Sequence, residues 1–269
     1  MGGQVLGDRY EVERQLGKKS GRWTLQARDL NTQESVILKL LFLDDSLTAT
    51  DLKLFKREVE ALKLLRHPAT PHYQGYFEME LPTQDRAMAL VQSYIEGISL
   101  QTYLSESRKF TQAEVIEIAR QVLGILDALH THSPSIIHRD IRPSNILLHP
   151  GLPVNSAQVY LVDFGTVKSL TSGTTAFTMV GTDGYLPPEQ AGGRVLAVSD
   201  LYSLGATLAE ALTGIPPSQM QTRGLRIQFE EHATATPEFA QWLKRLLSPS
   251  LDRRWESAAQ ALASLKTLT

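Results

Sequence analysis

The stretch IIHRDIRPSNILL, Ile136 to Leu148, places a charged loop between two apolar segments. The loop carries Asp140, Arg142 and Asn145, and its apolar flanks predict that it is held over a hydrophobic core. A second stretch, YLVDFGTVK, ends an apolar strand pattern at Asp163. Asn145 and Asp163 offer oxygen ligands that suit Mg²⁺, and Asp140 is suited to take a proton from a hydroxyl. Two ordinary β-turns are the structural alternative for either motif taken alone.

The chain on the N-terminal side of this loop has the pattern of a β-rich unit. The segments RYEVERQLG, WTLQARDL, ESVILKLLFL and RAMALVQSYIEG predict strands, and turn-forming residues separate the first three. Apolar residues recur at helical spacing between Asp51 and Leu65, which predicts one helix there.

The chain on the C-terminal side is mainly helical. A capping box at Thr111 and Glu114 predicts one helix start. SDLYSLGATLAEALTG predicts a buried helix with Ser199 as its N-cap and Gly214 as its stop, and PEFAQWLKRLL and ESAAQALASLKTL predict two more helices. The predicted fold class is α+β, a single domain over residues 1–269. A small, mainly β lobe with one helix, about residues 1–95, precedes a larger, mainly α lobe, about residues 96–269.

Composition narrows the classes of function. Hydrophobic residues make up 42% of the 269 residues and charged residues 21%, as in globular proteins. A formal net charge of −2 provides no basic field, so no nucleic-acid partner is expected. The absence of cysteine excludes disulfides and fits a cytoplasmic protein. No apolar run approaches the ~20 residues that span a bilayer, so no membrane segment is predicted. The start of the chain has no signal-peptide pattern, and nothing indicates an oligomeric state.

Further motifs recur in a fixed order along nearly the whole chain. Lys39 of VILK lies 22 residues after Gly17, and Glu58 lies 19 residues after Lys39. GTDGYLPPEQ follows DFG, and an aspartate, Asp200, and a late arginine, Arg254, come after it. Together with HRDIRPSN, these motifs resemble those of the eukaryotic-type serine/threonine protein kinases, and of their cyanobacterial members in particular.

The resemblance implies a two-lobed fold and transfer of the ATP γ-phosphate to a serine or threonine of a protein. ATP and Mg²⁺ are the implied cofactors. Asp140, Arg142, Lys39 and Glu58 would form the catalytic set, and Asn145 and Asp163 would hold the metal. The residues implied to contact the nucleotide are Gly17, Lys19, Gly21, Arg22, Thr24, Ile37, Lys39, Gln92, Tyr94 and Leu147.

The resemblance also implies secondary features. Asp200 would anchor the catalytic loop, Arg254 would pair with Glu189, and His138 and Phe164 would pack together. Autophosphorylation is expected in the threonine-rich SLTSGTTAFT, with Thr174, Thr175 and Thr178 as candidates. The GTDGYLPPE segment argues against tyrosine specificity and against a small-molecule kinase.

Two further expectations concern side chains outside the main motifs. Ser99 and Ser144 stand where basophilic relatives carry acids, so no strong demand for arginine upstream of the target is expected. HTH, His130 to His132, is interpreted as a solvated or capping histidine pair rather than a metal site.

The glycine-rich loop LGKKSGRW departs from the family pattern. Aligned without gaps, the second and third glycines become Lys19 and Arg22, and the valine becomes Thr24. Glycines allow backbone amides to approach phosphate closely, so their loss weakens that role. Two interpretations stay open: an active kinase in which Lys18, Lys19 or Arg22 grips phosphate, or a pseudokinase scaffold with weak or no nucleotide binding.

Overall fold

The structure is a computed structural model that describes residues 2–19, 21–45, 47–80, 86–149, 153, 156–165, 168–169 and 184–268. The side chains of residues 19, 168, 169 and 191 lie outside the description. The chain divides into two compact units, Met1–Ile95 and Glu96–Thr269.

The first unit is built on a six-stranded antiparallel sheet with the order β1-β2-β3-β4-β6-β5. Its elements are β1 (Val5–Leu6), β2 (Tyr10–Lys19), β3 (Arg22–Asp29), β4 (Ser35–Phe42), α1 (Ala49–Leu64), β5 (Tyr73–Glu80) and β6 (Arg86–Ser93). Alternating side chains of the inner strands close over a core in which Leu25, Leu38 and Val91 are almost fully buried.

Helix α1 lies where its sequence predicts one, but it begins two residues before Asp51 and ends one residue before Leu65. Thr48 is the N-cap and Asp51 completes a capping box, with each side chain accepting a hydrogen bond from the other's backbone N–H. Strand β5, which the sequence did not predict, has alternating half-buried and exposed residues. Leu65 is the C-cap of α1, two residues before His67. The helix ends here because His67 precedes Pro68, and the residue before a proline disfavours helical backbone.

The second unit is mainly helical and carries three small antiparallel sheets among its described residues. Its strands are β7 (Ile98–Ser99), β8 (Ile136–Ile137), β9 (Ile146–Leu148), β10 (Val159–Leu161), β11 (Lys168–Ser169), β12 (Thr222–Arg223) and β13 (Arg226–Ile227). Its α-helices are α2 (Leu100–Ser105), α3 (Gln112–Thr131), α4 (Pro188–Ala191), α5 (Ala197–Thr213), α6 (Pro237–Leu246) and α7 (Ala258–Leu265).

Helix α5 is buried on nearly all sides, as its apolar sequence predicts. The predicted start of this helix is wrong: Leu196 is the N-cap, and Ser199 lies three residues further on, with its Oγ accepting from the Leu196 N–H at 3.2 Å. Gly214 ends the helix with φ of 73°, as predicted. Gly205 lies where α6 passes closely, since an added Cβ would lie 2.8 Å from Leu246 Cβ.

The predicted fold class is confirmed, with a β-sheet unit that carries one helix followed by a mainly helical unit. Within the described ranges, no helix has the length and apolar character needed to cross a membrane.

Candidate active site

In the first unit, Lys39 and Glu58 form an ion pair between β4 and α1. The side chains are 13% and 4% exposed, so the pair is largely removed from water. A buried ion pair with good geometry fixes the positions of both partners, because either charge alone would be costly to bury. Lys39 is therefore held at a defined place on the sheet, with Thr24 as its neighbour on β3.

Arg22, at the start of β3, bonds the first turn of α1. Its Nη2 donates to the backbone oxygen of Asp51 at 2.9 Å and to Asp51 Oδ1 at 3.1 Å. Hydrogen bonds from Thr48 hold the pKa of the Asp51 carboxyl below its ordinary value, and the Arg22 charge lowers that pKa further. The same helix carries Glu58, so this tether joins the hairpin to the element that positions Lys39. The sequence predicted that Arg22 contacts the phosphates of the nucleotide, whereas in the structure its guanidinium bonds Asp51.

The rest of the β2–β3 hairpin has local partners. Lys18 Nζ lies 5.0 Å from the centre of the Trp23 ring, at cation–π distance. Gly21 has φ of 67°, a backbone conformation that favours glycine, so it serves the turn. Gly17 pairs with Thr24 across the hairpin next to a β-bulge. The side chain of Lys19 lies outside the described residues.

The other nucleotide contacts predicted in this unit lie near the end of the sheet. Ile37 on β4 pairs with Gln92 on β6, and both are buried. The backbone N–H of Tyr94 donates to the carbonyl of Ser35 at 3.4 Å. Ile37 is a branched side chain two residues before Lys39 on the same strand.

In the second unit, the loop after β8 places Asp140 beside Asn145. Asn145 Nδ2 donates to the backbone oxygen of Asp140 at 2.7 Å and to Asp140 Oδ2 at 3.1 Å. The amide nitrogen is therefore engaged by Asp140, and the amide oxygen accepts from Ser144 Oγ at 3.2 Å. This arrangement keeps an oxygen of Asn145 available as a cation ligand, and it sets the orientation of the Asp140 carboxylate.

Asp163 follows strand β10 and is brought to Asn145 by the backbone. The Val162 N–H donates to the Asn145 carbonyl at 2.9 Å, so the next residue along the chain emerges beside this loop. Asp163 has φ of 66°, an uncommon conformation for a residue other than glycine. Phe164 is fully buried, and its ring meets that of His138 at 4.7 Å between centroids, as the resemblance implied.

Asp200, at the start of α5, holds the loop that carries Asp140. Its oxygens accept from the backbone N–H groups of His138 at 2.9 Å and Arg139 at 2.8 Å. Arg139 has φ of 72°, so the two bonds hold the loop in a strained conformation. The interpretation of His130 as solvated is wrong: its Nε2 lies 2.9 Å from Asp200 Oδ2, and its side chain is 9% exposed.

The loop's flanking residues are also tightly placed. Leu147, a predicted nucleotide contact, lies on β9, where an added Cβ on Gly97 would approach Leu147 Cβ to 2.8 Å. The Arg142 guanidinium lies 5.3 Å from the centre of the Tyr185 ring, and Tyr185 donates a hydrogen bond to Glu210. Arg142 is thus fixed by packing as well as by its place in the loop.

Glu189 and Arg254 form a buried two-pronged ion pair in this unit. Arg254 Nη1 and Nη2 donate to the two Glu189 oxygens at 2.6 and 3.0 Å, and Ser199 Oγ donates to the first oxygen at 2.9 Å. Burial raises the pKa of Glu189, but the hydrogen bonds and charge of Arg254 outweigh burial and hold that pKa below its ordinary value. The pair fixes α4 to the C-terminal part of the chain.

A family model described as "Protein kinase domain" matches residues 10–265. The chain belongs to the protein kinase family. This membership fits the observed set, in which a lysine-glutamate pair, an aspartate-asparagine loop and a following aspartate occur in the chain order of the family's motifs.

Similar proteins carry the same family name. Serine/threonine-protein kinase B of Synechocystis sp. is 32% identical over 98% of this chain and 47% of its own length. Serine/threonine-protein kinase D of the same organism is 34% identical over 98% of this chain and 53% of its length. PrkC of Bacillus subtilis is 30% identical over 89% of this chain and 36% of its length. The chain spans about half the length of the curated relatives it matches. The predicted resemblance to bacterial and cyanobacterial members is confirmed.

Proposed function

We propose that this chain is a serine/threonine protein kinase that transfers the γ-phosphate of ATP to a hydroxyl of a protein substrate. The observation that carries the proposal is the Lys39–Glu58 pair, because phosphoryl transfer requires a lysine that is held in place to orient the phosphates of ATP. The names of the relatives support the same activity. No observation favours the scaffold alternative, since every residue of the catalytic set is present.

Each side chain has a role in the proposed reaction. Lys39 orients the phosphates of ATP, and Glu58 keeps Lys39 in place. Asp140 orients the substrate hydroxyl and takes its proton as the oxygen–phosphorus bond forms and the β–γ bridging bond breaks, with ADP leaving. Arg142 compensates negative charge near the transferred group, which its fixed guanidinium can do without rearrangement.

The metal ligands are proposed on donor chemistry. No group of three or more His, Asp or Glu side chains within the described ranges is arranged to hold a metal ion. Asn145 and Asp163 supply the two oxygen ligands, which suits Mg²⁺, an ion that completes its shell with water and phosphate oxygens. When bound, Mg²⁺ supplies charge neutralisation on the phosphates. A cytoplasmic location is proposed because the sequence has no cysteine.

Substrate preference and autophosphorylation stay predictions. Ser99 accepts from the Thr102 N–H at 3.1 Å as the N-cap of α2, and Ser144 donates to Asn145. Neither position offers a carboxylate for a basic residue upstream of the target. Thr174, Thr175 and Thr178 lie outside the described residues. A peptide library phosphorylated by the purified chain tests the preference, and enrichment of arginine upstream would contradict it.

The activity is tested by incubating the purified chain with radiolabelled ATP and Mg²⁺, alone and with casein. We expect label on serine and threonine, but not on tyrosine, after acid hydrolysis. Lys39→Met and Asp163→Asn are expected to reduce incorporation by about 100-fold or more, as for loss of a positioned charge at the transferred phosphate. Lys53→Gln removes an exposed lysine outside the catalytic set and outside the β2–β3 hairpin, and it is the matched control. No incorporation and no Mg-ATP binding by the wild-type chain would select the scaffold interpretation.

A further inference from the structure

A basic cavity lies in the second unit, and none of the residues that line it belongs to the catalytic set. It has a volume of about 370 Å³ and is formed by the β12–β13 hairpin, the end of α6 and the short turn that follows. Its charged lining consists of Arg223, Arg226, Arg253, Lys244 and Glu230. We call this cavity the arginine pocket.

The charges of the arginine pocket are unbalanced. Lys244 Nζ pairs with Glu230 Oε1 at 2.5 Å, which neutralises the single carboxylate of the lining. No hydrogen bond or ion pair from the described part of the chain reaches the guanidinium groups of Arg223, Arg226 or Arg253. Four cations against one carboxylate leave a surplus of three positive charges around one concave surface.

Two of the arginines are placed directly against each other. Arg223 and Arg226 are Cα partners across the hairpin, and like charges in that position destabilise a strand pair. Gly224 and Leu225, which form the turn, have φ of 57° and 64°, so leucine occupies a conformation that glycine would adopt more easily. The hairpin thus keeps two like charges opposite each other, and a bound anion would relieve their repulsion.

The base of the arginine pocket is rigid. Ile227, after Arg226, is 3% exposed, and Phe229 is fully buried, which anchors the hairpin to the helical core. Arg254, next to Arg253, is fully buried and donates to the Ser248 carbonyl at 3.0 Å. The backbone that carries Arg226 and Arg253 is therefore anchored on both sides of the cavity, which keeps the two residues at one ligand-sized space.

We propose that the arginine pocket binds the phosphate monoester of a phosphorylated serine or threonine in a protein segment. A phosphate monoester carries close to two negative charges and three acceptor oxygens, which match several guanidinium forks better than one carboxylate does. The cavity is larger than one phosphate group needs. Leu225 is 68% exposed beside it and offers an apolar contact to a neighbouring residue of the segment.

The choice of phosphoserine or phosphothreonine rests on the proposed function, because that reaction produces such groups. The binding itself needs no catalysis. A catalytically inactive chain that binds the phosphorylated segment would contradict the proposed function and leave the arginine pocket intact. A catalytically active chain that does not bind the phosphorylated segment would contradict the arginine pocket and leave the proposed function intact.

The test is fluorescence anisotropy with the whole chain, without ATP or Mg²⁺. The probe is a labelled peptide with phosphothreonine followed by leucine, compared with the same peptide carrying unmodified threonine. We expect the phosphorylated peptide to bind at least about tenfold more tightly. The triple variant Arg223→Gln, Arg226→Gln, Arg253→Gln is expected to abolish that difference. The charge-matched control is Arg66→Gln, Arg86→Gln, Arg120→Gln, three arginines exposed elsewhere, which is expected to bind as the wild type does.

Two further measurements distinguish loss of binding from loss of folding, and binding of the peptide from binding of free phosphate. The single variant Arg253→Gln changes a side chain outside the hairpin and is expected to weaken binding severalfold, even if the triple variant unfolds. Inorganic phosphate is expected to compete only at concentrations far above the peptide. Equal affinity for both peptides, unchanged binding by Arg253→Gln, or equal affinity for inorganic phosphate and peptide would each overturn the proposal.

Discussion

At the scale of single residues, Arg22 shows how a position in a binding loop can change its role. The sequence places it at a glycine of the phosphate-binding pattern, and a cation there is easily interpreted as a phosphate ligand. The structure bonds it to Asp51 at the start of α1. A charge-assisted hydrogen bond of this kind contributes about 1 kcal/mol, enough to affect the position of the helix end.

Arg22→Gln is therefore expected to lower kcat about three- to tenfold, with a smaller effect on KM for ATP, because Glu58 is held less firmly against Lys39. Steady-state kinetics at varied ATP concentration measure the changes in kcat and in KM for ATP separately. Arg28→Gln is the control, since it removes an exposed cation of β3 that pairs with Glu13 rather than with α1. A rise in KM for ATP with kcat unchanged would show instead that Arg22 contacts the phosphates.

The Glu189–Arg254 pair makes a second residue-scale prediction. Glu189→Gln is expected to lower the free energy of unfolding by about 3 kcal/mol, because it leaves a buried guanidinium without its counter-charge. The pKa of Glu189 in the folded chain lies below the 4.5 of the unfolded chain. Its stabilisation is thus complete above about pH 4.5 and is lost as pH falls through the folded pKa.

Thermal unfolding from pH 7 to pH 3 measures this dependence. The difference in Tm between the wild type and Glu189→Gln is expected to shrink below about pH 4.5. A difference that stays constant down to pH 3 would contradict the assignment of the charge to this pair.

At the scale of elements, two helical glycines have opposite surroundings. Gly205 on α5 faces α6, where an added Cβ would lie 2.8 Å from Leu246 Cβ and 3.2 Å from Leu247 Cγ. Gly124 on α3 has nothing within 4 Å of an added Cβ. Substitution by alanine therefore tests close packing at Gly205 and helix propensity at Gly124.

Gly205→Ala is expected to lower the free energy of unfolding by about 1–3 kcal/mol, because the two helices must separate. Gly124→Ala is expected to raise it by about 0.5–1 kcal/mol through helix propensity alone. Urea unfolding of the two variants measures both changes. A higher free energy of unfolding for Gly205→Ala would show instead that α6 can move aside without loss of stability.

At the scale of the whole molecule, nucleotide binding couples to folding of the chain. A ligand at 100 times its Kd stabilises the folded state by about 2.7 kcal/mol. Mg-ATP is therefore expected to raise the Tm of the wild type by several degrees, and Lys39→Met is expected to reduce the shift. Differential scanning fluorimetry measures it without any requirement for catalysis. An unchanged wild-type Tm at millimolar Mg-ATP would contradict nucleotide binding.

Much of the fold was readable from sequence, because strand alternation, capping boxes and helical spacing are local signals. Strands β2 to β4, helix α1 and the end of α5 at Gly214 follow such signals. What could not be predicted depends on distant partners. His130 lies close to Asp200 across 70 positions, and Arg22 bonds a helix 29 positions away, so no pattern within either segment indicates the contact.

The tether between Arg22 and Asp51 has a consequence for how related sequences diverge. A glycine at position 22 makes no demand on position 51, whereas an arginine there gains an ion pair, beyond its bond to the backbone oxygen, only if position 51 is acidic. The two positions are therefore expected to co-vary: relatives with arginine at the first should carry aspartate or glutamate at the second, and relatives with glycine should vary freely. The replacement of a loop glycine by arginine at position 22 would then be retained in evolution together with an acid at position 51.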